Sequence, residues 1–172
     1  MSTVSSLNEA CELASLRLAQ PVLGPMISRG QFERIAEQVR EVAAASELLT
    51  PEDLICLERA LEDETARKDF AIALNGLLHG KRSLEERFKH WLTVLSGQSM
   101  ASWPMATLWP FLIHPQRYFP VFPAPLKDHA DAAELDLDAP PTWPAYVASQ
   151  RLAHQLRKSR NLVSFADLIF PS

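Results

Sequence analysis

The segment HPQRYF, residues 114–119, places a histidine, an arginine and a tyrosine within six positions. An arginine beside aromatic rings is able to stack on a nucleic-acid base or to anchor a peptide. The alternative is a structural role, in which Arg117 donates hydrogen bonds to the carbonyls of a loop rich in proline and Tyr118 covers the core. We favour the structural role for Arg117.

The aromatic residues around this segment predict a surface that binds a partner. We expect an exposed apolar patch near Trp109, Phe119 and Phe122, with Arg117 and Tyr118 beside it, because large exposed apolar patches mark interaction sites. The leading hypothesis is therefore a non-enzymatic binding or protein-interaction module. Full burial of these aromatic side chains would argue against it.

A basic cluster, RLAHQLRKSR, occupies residues 151–160. Arg151, Arg157 and Lys158 fall near one face of a predicted helix, and Arg160 follows. Such a face is suited to phosphates, which makes nucleic-acid contact the alternative function. It is equally consistent with favourable charge at the negative end of a helix. The net charge of −4 favours a protein partner over a nucleic acid.

Motifs of known enzymes are absent from the sequence. It holds no glycine-rich phosphate loop, no Gly-x-Ser-x-Gly and no Cys-x-x-Cys, and its five histidines have no metal-ligand spacing, so we expect no metal and no cofactor. The third hypothesis is an enzyme with an unrecognised pocket that uses His114, Glu86 or Asp167. Cys11 and Cys56 are expected to be free cysteines in the core.

Capping signals predict helices through residues 1–97. Ser6, Ser28, Thr50 and Ser83 each precede a helical pattern as candidate N-caps. The stretch PVLGPMISRG, residues 21–30, is predicted to be a loop, and the charged run 62–69 a solvated face or a bend. The predicted helices cover about 7–20, 29–47 and 51–61, a segment ending at Gly80, and 84–97.

Proline changes the pattern after residue 100. Ser102 is expected to cap a helix that Pro110 kinks near Ala106 or Thr107, or divides into two pieces. Residues 115–125 should be irregular, with a short helix restarting after them. Thr142 is expected to cap a helix over 143–158, and the chain closes with a turn and a short apolar element, helical or extended.

Together these patterns predict an all-α fold, an irregular multi-helix bundle with a proline- and aromatic-rich corner. We expect a single domain over 1–172, with helices in 1–97 and the corner and C-terminal helices in 102–172. The chain shows neither a signal peptide nor a long apolar run, which favours a cytoplasmic location without membrane insertion. The oligomeric state stays open at this level.

Short motifs rich in proline and aromatic residues follow one another in the second half of the chain. They are Trp103-Pro104 with Thr107, His114-Pro115 with Arg117-Tyr118, Phe122-Pro123, Trp143-Pro144 with Tyr146, and the ending from Asn161 to Phe170. This order resembles a helical module of uncharacterised bacterial proteins, some attached to AAA+ restriction proteins of the McrB type. The chain departs from that pattern at His114, where the module has an acid, and at Phe122, where it has a lysine. The resemblance implies a bacterial, defence-type assembly and no particular reaction.

Overall fold

The computed structural model describes residues 3–170 and confirms the all-α prediction, because this part of the chain forms ten α-helices and no strand. The first five helices are α1 Thr3–Arg17, α2 Gln20–Ser28, α3 Phe32–Ser46, α4 Pro51–Glu62 and α5 Glu64–His79. The others are α6 Leu84–Gly97, α7 Trp103–Ile113, α8 Pro123–Ala130, α9 Trp143–Ser159 and α10 Ala166–Ile169, with a 3-10 turn Asp131–Ala133 after α8. Between residues 3 and 170, no helix is both long and apolar enough to cross a membrane.

Side-chain caps start four of the ten helices within residues 3–170 at the expected places. Thr50 and Ser83 each accept a hydrogen bond from the backbone N–H three residues later, and the acidic residue there closes a capping box. Ser102 and Thr142 also accept a backbone N–H three residues later, at the starts of α7 and α9, but with no acidic residue there they form no capping box. The Ser102 hydroxyl also donates to Asp53 Oδ1 at 2.6 Å, which joins the beginnings of α4 and α7.

The prediction of a loop over residues 21–30 is wrong, because most of this stretch forms α2. Pro21 lies in the first turn, where the missing N–H costs nothing, and Pro25 is tolerated inside the helix while Leu23 and Met26 are buried in the core. The expected cap at Ser28 is also wrong, since its hydroxyl donates to the Gly24 carbonyl at 3.1 Å. Likewise, Ser6 lies inside α1, which begins at Thr3.

Helix α5 crosses the middle of the bundle and contacts α2, α3, α4, α6 and α7. It starts at the bend predicted for the charged run. Asp63 has extended backbone there, and its carboxylate accepts the Ala66 N–H at 2.7 Å. The charged residues therefore end one helix and begin the next.

Helix α7 lies inside the bundle against α1, α5 and α6, and nine of its eleven residues are buried. It runs as one helix, so the predicted division into two pieces at Pro110 is wrong. Proline cannot donate to the Ala106 carbonyl four residues earlier. The indole Nε1 of Trp91 donates to that carbonyl instead, at 3.1 Å, and keeps the buried backbone satisfied.

Replacing Trp91 should therefore cost more than replacing another buried tryptophan. Trp91→Phe leaves the Ala106 carbonyl without a donor, which we expect to lower the free energy of unfolding by about 1–3 kcal/mol beyond the packing loss. Trp109→Phe is the matched control, because Trp109 is equally buried and its Nε1 has no hydrogen-bond partner. Urea unfolding of both variants measures the difference, and equal losses would contradict this role of Trp91.

The turn between α5 and α6 requires glycine at position 80. A Cβ on Gly80 would lie 2.4 Å from the Gly76 carbonyl oxygen and 2.7 Å from Arg87 Cδ. Gly80→Ala should therefore destabilise the protein, by roughly 1–3 kcal/mol. Gly76→Ala, inside α5 with open space for its Cβ, should instead stabilise it by about 0.5–1 kcal/mol. Thermal unfolding compares them, and a gain at both sites would contradict the steric argument.

Candidate functional site

The prediction of an exposed aromatic patch is wrong, because its side chains are largely buried. Trp109 and Phe119 are both 0% exposed, and Phe122 is half-buried. Trp109 belongs to a helix that is apolar on all sides, and such a helix belongs in the interior. Phe119 packs edge-on against Phe165, with ring centroids 5.4 Å apart. These residues build the core beneath the proline-rich loop.

One face of α9 holds that loop by its backbone. Gln150 accepts the Phe119 N–H at 2.7 Å and donates to the Phe119 carbonyl at 2.8 Å. His154 Nε2 donates to the Arg117 carbonyl at 3.0 Å, and Arg157 donates to the Gln116 carbonyl at 3.2 Å. The three side chains lie four and three residues apart, so they share one helical face. They fix the position of residues 116–119 relative to α9.

The structural role favoured for Arg117 is wrong, because the side chains of α9 already bind the loop carbonyls. Arg117 is exposed, and its guanidinium lies 5.2 Å from the ring centroid of Tyr118. Tyr118 is half-buried. The loop therefore presents this pair outward, beside the surface of α9.

A groove of about 500 Å³ lies between this loop, α9 and the start of α6. Trp143 and Tyr146 contribute its aromatic surface, with Phe88 stacked behind Tyr146 at a centroid separation of 4.3 Å. Its cationic side chains are Arg117 and Arg151. The full lining is Leu84, Arg117, Tyr118, Trp143, Tyr146, Val147, Gln150, Arg151, His154 and Gln155, without a carboxylate.

No protein-family model, curated protein or solved structure matches this chain. Arg117 and Tyr118 were predicted as partner-binding residues, and Arg151 as a nucleic-acid residue. The structure brings these three together, and it adds Trp143 and Tyr146, which the sequence marked only by their resemblance to a known module.

The basic cluster does not form one free surface. Arg151 lines the groove, whereas the Arg157 guanidinium lies 4.6 Å from the Phe165 ring centroid as part of the loop anchor. Arg160 Nη2 lies 2.9 Å from His129 Nε2. Lys158 is exposed and has no side-chain partner within residues 3–170. The surface available to phosphates is therefore smaller than the sequence suggested.

The titratable residues considered for catalysis occupy separate local structures. Glu86 closes the α6 capping box, and Asp167 accepts the Ser164 N–H at 2.9 Å. Burial, then Arg117 and then His79 lower the pKa of His114, whose ring lies edge-on to Tyr118. None of these three side chains lines the groove. Over residues 3–170, no cluster of three or more metal-ligating side chains occurs.

Both cysteines are free and half-buried, close to the expected core positions. Burial and the neighbouring Glu12 raise the pKa of Cys11 from 9.0 to about 11. The thiol therefore stays protonated at neutral pH and is a poor nucleophile.

The Tyr146 phenol is the unusual polar group of the groove. The side chain is 1% exposed, and its hydroxyl has no hydrogen-bond partner among the described residues. Burial and, secondarily, Tyr118 raise its pKa, so it remains an un-ionised donor. A buried donor without an acceptor destabilises the folded state.

Tyr146→Phe should therefore stabilise the free protein, by about 1 kcal/mol at neutral pH, because it removes an unsatisfied hydroxyl and keeps the ring. Tyr118→Phe, which changes a less buried phenol in the same groove, should change stability by less than about 0.5 kcal/mol. Chemical denaturation measures both. A loss of stability in Tyr146→Phe would mean that the hydroxyl has a stabilising partner.

The same residue predicts a dependence on alkaline pH. The pKa of Tyr146 in the folded state is raised above the unfolded value of 10.0. The folded state therefore keeps the phenol protonated while the unfolded state loses the proton, so the free energy of unfolding falls as pH rises above 10 and is unaffected by this group below it. Unfolding free energies measured from pH 8 to pH 11 should fall less steeply above pH 10 in Tyr146→Phe than in the unaltered protein. Identical slopes would contradict the raised pKa.

Proposed function

We propose that this protein is a non-enzymatic interaction module whose groove binds an extended peptide segment of a partner protein. The segment would carry an apolar or aromatic side chain beside acidic residues. The observation that carries the proposal is the pairing of the Trp143 and Tyr146 rings with two arginines in one groove that lacks carboxylates. A volume near 500 Å³ is in the range of pockets that enclose small ligands or side chains.

The rings favour an apolar anchor on the ligand. Aromatic surfaces supply large contact areas at low entropic cost, and they are enriched in the central residues of protein interfaces. Trp143 is half-buried and lies 5.9 Å from the Tyr146 ring centroid, so part of its indole remains available to a ligand. A partner side chain that covers this surface would remove it from water.

The charges favour acidic residues next to that anchor. Arg117 and Arg151 are exposed at the groove, and neither has an ion-pair partner within residues 3–170. A planar guanidinium binds a carboxylate through two parallel N–H donors. The Arg117 carbonyl is already held by His154, which fixes the backbone that carries one of these arginines.

Binding of single-stranded nucleic acid is the second function that the same groove favours, because bases also stack on aromatic rings next to arginine. The internal use of Arg157 and Arg160 leaves few cations for phosphates, which weighs toward a peptide. The resemblance to the bacterial module adds a proposed setting, an accessory part of a defence-type assembly in the cytoplasm.

Fluorescence anisotropy with labelled ten-residue peptides tests the proposal. The panel combines a central Phe, Leu or Trp with flanking Asp and Glu, and its matched members replace the acids by Asn and Gln or the anchor by Ser. We expect binding to the acidic-aromatic members, and about tenfold weaker binding by Arg151→Glu and by Arg117→Glu, because each reversal places a carboxylate against the ligand's acids.

Lys158→Glu is the matched control, since it makes the same charge change on the same helix outside the groove lining. It should leave peptide affinity within about twofold. Equal losses of peptide affinity in Arg151→Glu and Lys158→Glu would indicate an effect of net charge and contradict binding in the groove. If an oligothymidylate binds with an affinity that falls steeply with salt, and no peptide binds, the result would contradict the peptide proposal and support nucleic-acid binding.

A further inference from the structure

Helix α4 leaves apolar side chains on the surface, away from the groove of α9. Ile55 is 61% exposed and Leu54 is 40% exposed. They line a second groove of about 620 Å³ between α3 and α4, whose floor includes Ala43 and Ala44. Exposed branched side chains beside an apolar groove are typical of an interaction surface.

We propose that this face binds a second copy of the chain, with the two α4 helices antiparallel about a two-fold axis near Ile55. The charges along α4 support this occupant. Glu52, Ile55 and Arg59 are spaced by three and four residues, so they share one helical face, and all three are exposed. The acid therefore lies one turn before the isoleucine and the base one turn after it.

An antiparallel copy reverses that order. Glu52 of each chain then faces Arg59 of the other, and the two Ile55 side chains meet at the axis. A two-fold interface requires this kind of self-complementarity, because residue i contacts residue j on both sides. Within residues 3–170, neither Glu52 nor Arg59 has a hydrogen bond or an ion pair through its side chain.

The neighbouring charges do not compete with this arrangement. Glu58 accepts a hydrogen bond from Arg40 Nε at 3.0 Å, which joins α3 to α4. Glu62, the last residue of α4, lines the end of this groove, three residues after Arg59 and outside the overlap of residues 52–59. Since the contact involves chiefly one helix of twelve residues, the interface is small and the association is weak and concentration-dependent.

Sedimentation equilibrium of the full chain, from about 10 to about 500 μM, tests the association. The average mass should rise from 19.3 kDa toward twice that value. Ile55→Lys should raise the dissociation constant at least about tenfold, since it places two charges together at the axis. Ile72→Lys, an exposed isoleucine of α5 outside this groove, should leave the dissociation constant unchanged.

The charge pairing has a separate test. Glu52→Arg and Arg59→Glu should each fail to dimerise alone, because like charges then face each other. An equimolar mixture of the two variants should form a heterodimer, since each acid again faces a base. Circular dichroism verifies that both variants are folded. A protein that stays monomeric to about 500 μM, a dimer that survives Ile55→Lys, or a mixture that stays monomeric would each overturn the proposal.

Discussion

The hydrogen bond from the Trp91 indole to the Ala106 carbonyl supports the packing on which the other elements depend. Helix α7 is buried on nearly every side, yet Pro110 removes one of its backbone donors. An orphaned carbonyl in the core would be costly, so a donor from outside the helix stabilises the fold. Trp91 of α6 provides that donor, so α6 and α7 are locked by a directional contact as well as by apolar packing.

The proline-rich loop after α7 follows the same rule. Its prolines cannot form a regular ladder of hydrogen bonds. The N–H groups of Arg117 and Tyr118 donate to the His114 carbonyl, and side chains of other elements bind further N–H and carbonyl groups of the loop. Thr107 accepts the Val121 N–H at 2.7 Å, and Gln150 binds both backbone groups of Phe119. The loop is consequently fixed against α7 on one side and α9 on the other. Its exposed residues, Arg117 above all, acquire defined positions beside the rings of α9.

Local sequence signals predicted most of the fold, because caps such as Thr50, Ser83 and Thr142 determine helix starts through contacts only three residues long. They failed where tertiary packing outweighed a local penalty, as in α2, which keeps Pro25 inside a helix. The site was harder to predict. Whether Trp109 and Arg117 face inward or outward depends on contacts with residues distant in sequence. Gln150 in particular takes the anchoring role expected of Arg117.

The overall charge constrains how the groove of α9 would bind the proposed acidic peptide. A chain of net charge −4 repels an acidic segment at long range, while Arg117 and Arg151 attract it only within about a Debye length. Attraction at short range fixes the register of a ligand more than it accelerates encounter. In the proposed complex most of the affinity would therefore come from covering the exposed part of the Trp143 indole, which lies beside the buried Tyr146 ring. The two arginines would select which apolar segments are accepted. This division distinguishes the proposed peptide binding from nucleic-acid binding, in which phosphate contacts dominate the affinity.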